Sequence, residues 1–201
     1  MKPLALRYSR LTGTMPVMVS VPCGGVTRLH LPGEEAKIHL VKAVLKARAE
    51  SGEELELLGV ATAELDARGR EGLRRRVGAV SPEVGLISSL NAWENISLPA
   101  AFHGTTPLAE VAELAQAVIG RFGAEPDSFL ARLPDDLDAV ERRLAAFVRL
   151  LVEAPELALF DSINEGLTRP ERERVKDFES EYCARHPTGT LIYVDTQEQA
   201  A

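Results

Sequence analysis

The spacing of apolar residues predicts alternating strands and helices along the chain. Two short strand-like runs, at 17–21 and 26–31, flank a Pro-Cys-Gly-Gly sequence at 22–25, an arrangement that predicts a β-hairpin. From Glu34 to about Ala49, apolar residues recur at helical spacing: Ile38, Val41, Val44 and Leu45. The first part of the chain is therefore predicted as a hairpin, a glycine-containing loop and a helix.

The middle of the chain is predicted to be mainly helical. A strand-like run at 55–60, a charged helical stretch and a second strand at 76–81 precede the helices. Thr105, Thr106 and Pro107 supply an N-cap and an N1 proline for one helix. An apolar stripe at 137–151 marks a later helix, which Pro155 ends. We predict a helical insertion at about 84–150.

The last part of the chain is predicted to return to strands and one helix. A continuous apolar run at 157–160 ends in Asp161, a pattern typical of a strand buried on both faces of a parallel sheet. Thr168 and Glu171 form a possible capping box, and 191–194 is the final strand. Because no repeat or low-complexity linker interrupts this order, residues 1–201 are predicted to form a single α/β domain.

Composition and charge exclude several classes of function. The 201 residues are 45% hydrophobic and 26% charged, enough apolar material for one buried core. Lys and Arg number 23 and Asp and Glu number 30, so the net charge is 23 − 30 = −7. An acidic chain is not expected to bind nucleic acid or an anionic membrane. No apolar run approaches the length of a spanning helix, so the chain is expected to be cytoplasmic and to meet a membrane only through a partner.

Cysteines and histidines offer no metal site or disulfide framework. Cys23 and Cys183 are far apart and fit no zinc spacing, so they are interpreted as reduced thiols. The four histidines have no ligand spacing either, and no metal is expected: His30, His39, His103 and His186.

Two segments carry a resemblance to a known family. Residues 73–80 read Leu-Arg-Arg-Arg-Val-Gly-Ala-Val, and 85–99 run from Gly-Leu-Ile through Glu-Asn-Ile-Ser-Leu-Pro. In this order they resemble the nucleotide-binding domain of ABC transporters, most closely the members that serve lipid or lipoprotein transport. The resemblance covers roughly 4–197. It implies a P-loop NTPase-like α/β core with a small antiparallel β-subdomain and a helical insertion.

The resemblance also implies a phosphate-binding P-loop, which this sequence departs from. Glycines, a lysine and a hydroxyl in G-x-x-x-x-G-K-[ST] let the family hold phosphates and Mg²⁺. Here Leu31 and Ala36 stand at the glycine positions, Lys37 is retained, and Ile38 replaces the hydroxyl. Two further residues, Glu34 and Glu35, are interpreted mainly as stabilising a helix start, where they compete with phosphate for the same dipole.

The other positions that the family uses for hydrolysis are also changed. Pro82 takes the Q-loop glutamine position, Ser162 the catalytic-base position and Thr196 the switch-histidine position. The signature segment falls on 137–141, Leu-Asp-Ala-Val-Glu, and the D-loop aspartate position on Thr168. Lys37 and Asp161 remain as residual, weak nucleotide-binding residues, and no catalytic residue is assigned. Glu83 and Glu165 lie near the changed positions and are alternative candidates for a displaced base, a role that requires hydrogen-bond reach of the attacking water.

These changes favour a degenerate, non-hydrolysing member of the family. We expect it to act through contacts with a membrane permease subunit or a genuine ABC ATPase, with a homodimer also open. No cofactor is expected, although ATP with Mg²⁺ at low affinity stays open. The alternative is a transporter ATPase subunit with weak or partner-dependent hydrolysis through Lys37 and Asp161, and a nucleotide sensor without turnover lies between the two.

Overall fold

A computed structural model describes residues 3–11, 16–104 and 106–197. Eight strands and seven α-helices follow one another within these ranges. The bounds are β1 Leu4–Arg10, β2 Val17–Pro22, β3 Gly25–Leu31, α1 Glu34–Lys46, β4 Glu53–Leu57, β5 Val60–Ala61, α2 Ala67–Arg74, β6 Val77–Val80, α3 Ala92–His103, α4 Leu108–Arg121, α5 Pro126–Ala131, α6 Ala139–Glu153, β7 Leu157–Asp161, α7 Arg169–Arg185 and β8 Thr190–Thr196.

The strands form two four-stranded sheets. An antiparallel sheet has the order β2-β1-β4-β5, and a parallel sheet has the order β3-β8-β7-β6. Every residue of β7 is buried, as the apolar run before Asp161 predicts. This combination confirms the predicted α/β core with a small antiparallel β-subdomain, and it places the carboxyl ends of β3, β6, β7 and β8 at one edge.

Two apolar clusters cover the two faces of the parallel sheet. One joins the helices between β6 and β7 to α7, and the stacked rings of Phe147 and Phe178, 4.5 Å apart, lie within it. The other joins α1 to the antiparallel sheet and includes Leu40, Leu57 and Ile192. Helices α3 to α6 thus pack on one face of the sheet, where the insertion at 84–150 was predicted. The division of the chain into domains stays a prediction.

The predicted hairpin at 17–31 is wrong. β2 pairs antiparallel with β1, whereas β3 pairs parallel with β8 in the other sheet. The turn at 22–25, with Gly24 and Gly25 at positive φ, carries the chain from one sheet into the other. Turn residues specify a change in chain direction but not which strand pairs with which. In addition, β1, the strand that pairs with β2, was not predicted.

The starts of the predicted helices agree with the structure to within about two residues, whereas α1, predicted to run to about Ala49, ends at Lys46. The capping box of Thr168 and Glu171 at the start of α7 is confirmed, with the Thr168 N–H 2.7 Å from Glu171 Oε2. Pro107 lies at the N-cap of α4 and not at N1. Thr105, predicted to contribute to that cap, lies outside the described residues.

Candidate functional site

The site lies where α1, β6, β7 and β8 meet, and Lys37 is at its centre. This side chain projects from the first turns of α1 and is 3% exposed. Its Nζ donates to Ser162 Oγ at 2.5 Å and lies 2.8 Å from Glu34 Oε1 and 3.4 Å from Asp161 Oδ1. Burial alone lowers the pKa of Lys37, but the two carboxylates outweigh it and raise the pKa above the ordinary lysine value. The ammonium therefore stays charged and cannot act as a base toward Ser162.

Asp161 ends β7 and connects Lys37 to the neighbouring strand. Its Oδ2 accepts a hydrogen bond from Ser81 Oγ at 2.6 Å, and the same Ser81 oxygen accepts from the Glu83 N–H at 3.1 Å. Ser162 follows with φ 49°, and its N–H donates to the Val194 carbonyl at 3.1 Å. The sequence brings Lys37, Asp161 and Ser162 together as the resemblance implies. Sequence reasoning missed Ser81 and the pairing role of Glu34.

The segment that matches the P-loop is a helix start and not a phosphate cradle. α1 begins at Glu34, so only Pro32 and Gly33 separate it from β3, and the Lys37 N–H donates to the Gly33 carbonyl at 3.2 Å. Glu35 Oε1 lies 2.7 Å from Arg10 Nη2. Backbone N–H groups in a P-loop must point at phosphate oxygens. The backbone here is wound into a helix three residues before Lys37, and Ile38 offers no hydroxyl to Mg²⁺. The residues present do not fit ATP with Mg²⁺.

In the segment that aligns with the signature motif, acidic side chains cap the N-terminus of α6. Asp138 is the N-cap of α6, and its carboxylate accepts from the Glu141 N–H at 2.8 Å, while Glu141 Oε2 accepts from the Asp138 N–H at 2.9 Å. Arg132 holds Glu141 through two hydrogen bonds of 2.6 and 3.0 Å. The helix N-terminus that would face a phosphate therefore already carries two carboxylates.

The remaining predicted positions lie around this centre with other contacts. Pro82 is exposed and opens a short 3₁₀ turn, Pro82–Val84. Thr196 is buried at the end of β8, opposite Leu31. Of the two weighed as displaced bases, Glu83 pairs with Lys42 Nζ at 3.6 Å, and Glu165 is exposed.

Two arginines of α6, the buried Arg149 and the half-buried Arg143, were missed by sequence reasoning. Arg149 donates to the Val84 and Gly85 carbonyls, and Arg143 Nε donates to the Ile163 carbonyl at 2.6 Å. The signal available was an arginine within an otherwise apolar helical stripe, which requires a polar partner when it is buried. These contacts join the loops after β6 and β7 to the same helix.

Comparisons with known proteins decide the family. No family model matches the chain. The lipoprotein-releasing system ATP-binding protein LolD of Maricaulis maris is 32% identical over 160 residues, 77% of this chain and 68% of LolD. The chain belongs to the ABC transporter ATP-binding proteins. The ABC transporter ATP-binding protein YbbA of Escherichia coli K12 is 31% identical over 75% of this chain and 65% of YbbA.

Solved ABC cassettes share the fold. The chain superposes on cbiO1 of Clostridium perfringens with a TM-score of 0.73 at 17% identity, covering 98% of this chain and 80% of cbiO1. A dimeric structure of the ABC cassette MJ0796 gives 0.72 at 20% identity, covering 100% of this chain and 90% of that chain. The predicted fold class is thereby confirmed.

The relatives do not single out a cargo. The methionine import ATP-binding protein MetN 2 of Paraburkholderia xenovorans is 30% identical over 67% of this chain, and the chain spans 33% of its length. This identity is close to that of LolD. Lipid or lipoprotein transport therefore stays a prediction. None of the helices in the described ranges combines the length and apolar character that crossing a bilayer requires.

Proposed function

We propose that this ABC ATP-binding-subunit-like protein does not hydrolyse ATP and acts through contacts with a permease subunit or a genuine ABC ATPase. The proposal rests on the contacts of the Lys37 ammonium. This group forms ion pairs with Glu34 and Asp161 and donates a hydrogen bond to Ser162. A lysine that must meet phosphate charges has here two carboxylates of its own chain as counter-ions. Phosphate would have to displace them and to approach an exposed, negatively charged Glu34.

Changes on both sides of the family's composite site support the same proposal. In the family, a P-loop from one chain and a signature segment from another close on one nucleotide. Here the N-terminus of α1 carries Glu34 and Glu35, and that of α6 carries Asp138 and Glu141. Paired with an intact ATPase, this chain would offer neither a working P-loop nor a working signature. A protein that retains the fold without the catalytic residues therefore explains these changes more simply than a heterodimer subunit with one degenerate site.

A groove beside the helical insertion offers a docking surface for the partner. It has a volume of ≈ 760 Å³ and runs between α1, the edge strand β6 and α3. Phe102 on α3 is 80% exposed there, and Val84 and Pro99 add apolar surface. Charged side chains of both signs surround these residues: Lys42 Nζ lies 3.6 Å from Glu83, Arg75 Nε lies 3.5 Å from Glu71, and Lys46 and Glu153 also line the groove. We propose that an amphipathic helix contributed by the permease subunit packs its apolar face into this groove. This would bring the chain to the cytoplasmic face of a membrane.

Calorimetric titration with ATP and Mg²⁺ tests the proposal. Binding is expected to be on the order of millimolar or weaker, because two carboxylates and a wound helix occupy the phosphate position. Lys37→Ala, measured at a temperature where it is folded, should leave the heat of titration unchanged, and Lys176→Ala, which removes an exposed lysine, is its matched control. Micromolar binding that is lost in Lys37→Ala and kept in Lys176→Ala would overturn the proposal in favour of a nucleotide sensor.

A second candidate is an ATPase subunit whose weak hydrolysis depends on a partner. Family membership with LolD favours it, because LolD is named as an ATP-binding protein of a transport system. Phosphate release by the purified chain, with and without its partner, separates the two candidates. Release above the buffer rate that disappears in both Lys37→Ala and Asp161→Asn would establish this candidate, and release at the buffer rate would support the first.

A further inference from the structure

A cleft beside α6 has no role in the proposed function. It has a volume of ≈ 320 Å³, near the lower end of the range for small-molecule sites. Its walls come from the loop after β6, the segment before α6, α6 itself and the loop after β7. The apolar residues that line it are Pro82, Leu86, Pro134, Ala146 and Ile163. A cleft of this size and lining can hold the hydrocarbon body of a small organic molecule.

Arginines of α6 fix two walls of this cleft. The buried Arg149 donates to the Val84 and Gly85 carbonyls in the loop after β6. The half-buried Arg143 donates through Nε to the Ile163 carbonyl at 2.6 Å, in the loop after β7. Because both loops are attached to the same helix, the cleft is formed before any ligand arrives, which reduces the ordering cost of binding.

Arg142 lines the cleft with part of its guanidinium still available. Its Nη1 donates to the Leu137 carbonyl at 2.6 Å and to the Pro134 carbonyl at 3.4 Å. Within the described part of the chain, its Nε and Nη2 donate to no acceptor. These two nitrogens form one edge of the guanidinium, and in this protein Arg76 holds both oxygens of Glu156 by the same edge, at 2.6 and 2.9 Å. The exposed Arg142 is therefore anchored at one nitrogen and presents an edge that fits a carboxylate.

The charges that line the cleft favour an anion. Neither Arg142 nor Arg143 forms an ion pair with a carboxylate of the described residues, and both donate to backbone carbonyls. Burial and the adjacent charge of Arg142 lower the pKa of Arg143, but a guanidinium stays protonated. Of the two carboxylates that line the cleft, Asp161 is ion-paired with Lys37 at 3.4 Å, and Asp135 is exposed. Two guanidiniums thus face one unpaired carboxylate.

We propose that this cleft binds a small amphiphilic carboxylate, with its apolar body against Pro134, Ala146 and Ile163 and its carboxylate on the Nε and Nη2 edge of Arg142. The guanidinium supplies charge-assisted hydrogen bonds, and burial of the hydrocarbon body favours such a ligand over a bare inorganic anion. The inference does not rest on the proposed function, because neither Lys37 nor the N-terminus of α1 takes part.

Protein-observed NMR with 3-phenylpropionate as the probe, in the absence of nucleotide, tests the inference. We expect saturable shifts of the Gly85 and Ile163 amides. Phenethylamine, a cation with a similar body, and inorganic phosphate, an anion without one, should each bind at least about tenfold more weakly. The first comparison tests the charge of the site, and the second tests its apolar walls.

Two variants of the protein separate the charge of the site from its shape. Arg142→Gln removes the guanidinium and should lower phenylpropionate affinity at least about tenfold and abolish the preference over phenethylamine. Arg68→Gln removes an exposed arginine of α2 outside the cleft and is the matched control. Ala146→Phe fills the cleft and should abolish the shifts, whereas Ala117→Phe, at an exposed position of α4, should bind like the unmodified protein.

Several results would overturn the proposal. They are equal binding of the carboxylate and the amine, phosphate binding as tight as that of phenylpropionate, unchanged affinity in Arg142→Gln, and the absence of any saturable shift. Shifts that survive in a folded Ala146→Phe would also overturn it. Should Ala146→Phe fail to fold, Arg142→Gln still decides, because it changes an exposed side chain.

Discussion

At the scale of single residues, Lys37 has the environment of a structural ion-pair partner. The ammonium is buried with Asp161 and bonded to Glu34 and Ser162. A buried charge that loses its partner is strongly destabilising, whereas a lysine that waits for a ligand must remain available. The position that the family uses to bind phosphate therefore contributes to folding in this chain.

Lys37→Met is accordingly expected to lower the free energy of unfolding by about 3–5 kcal/mol, because it leaves Asp161 buried without its counter-ion. Urea denaturation measures the change. Lys176→Met is the control: Lys176 is exposed and 3.9 Å from Glu173, and this pair should contribute less than about 1 kcal/mol. Equal, small effects of both substitutions would contradict the structural role of Lys37.

Glu153 gives the stability of the protein a pH dependence. Glu153 as a whole is exposed, but its carboxyl lies against β6, where a Cβ on Gly78 would approach Oε2 to 2.9 Å. This local desolvation of the carboxyl raises the pKa of Glu153 from 4.5 to about 7 despite nearby Arg149. Between these values the folded state binds more protons than the unfolded state, so this group makes stability fall as pH rises through the window. Thermal melting of Glu153→Gln should lack this contribution and show a higher Tm than the unmodified protein above the window. A pH profile identical to that of the unmodified protein would contradict the assignment.

At the scale of elements, the segment that aligns with the signature motif starts α6 with a complete capping box. Asp138 and Glu141 satisfy each other's backbone N–H groups, and Arg132 holds Glu141. The acidic residues that repel phosphate thus stabilise the helix that carries them. The capping box stabilises the start of α6, because two N–H donors no longer depend on solvent.

Substitutions at Asp138 test this account of α6. Asp138→Ala removes the side-chain acceptor and should cost about 1 kcal/mol, whereas Asp138→Ser keeps an N-cap acceptor and should cost a few tenths at most. Chemical denaturation of the two variants gives the comparison. If both substitutions cost the same, the cap is not what stabilises the start of α6.

At the scale of the whole molecule, the candidate site is assembled from distant parts of the chain. α1 supplies Lys37, the end of β6 supplies Ser81, and β7 supplies Asp161, while α6 fixes the loops that follow β6 and β7. Lys37 and Asp161 are retained at the family's positions, whereas several positions around them differ from the residues that the resemblance leads one to expect. Losses that act along one reaction coordinate are not repaired one at a time.

Ser162→Glu is therefore expected to leave phosphate release at the buffer rate, although it returns a carboxylate to the position of the catalytic base. The new side chain adds another negative charge beside Asp161 and finds neither a P-loop nor a Q-loop glutamine. Phosphate release is measured for Ser162→Glu alone and combined with Lys37→Ala. A clear gain that Lys37→Ala removes would contradict the proposed loss of hydrolysis.

The sequence by itself determined the order and type of most elements and the family. The buried strand before Asp161, the apolar stripe of α6 and the capping box of Thr168 were readable because periodicity and caps are local properties. The altered positions at Pro82, Ser162 and Thr196 were also readable, because a resemblance fixes which residue stands where.

The tertiary structure decided which of these elements and residues meet. Local pattern assigned β2 and β3 to one hairpin, but the strands that complete each sheet, β1 and β8, lie elsewhere in the sequence. Glu34 was predicted only as a helix-start residue, and its ion pair with Lys37 depends on how α1 docks beside β7. The attachment of two loops to α6 by Arg143 and Arg149 has the same origin. Periodicity tells which face of an element is buried, whereas the partner on that face is set by packing between residues far apart in the chain.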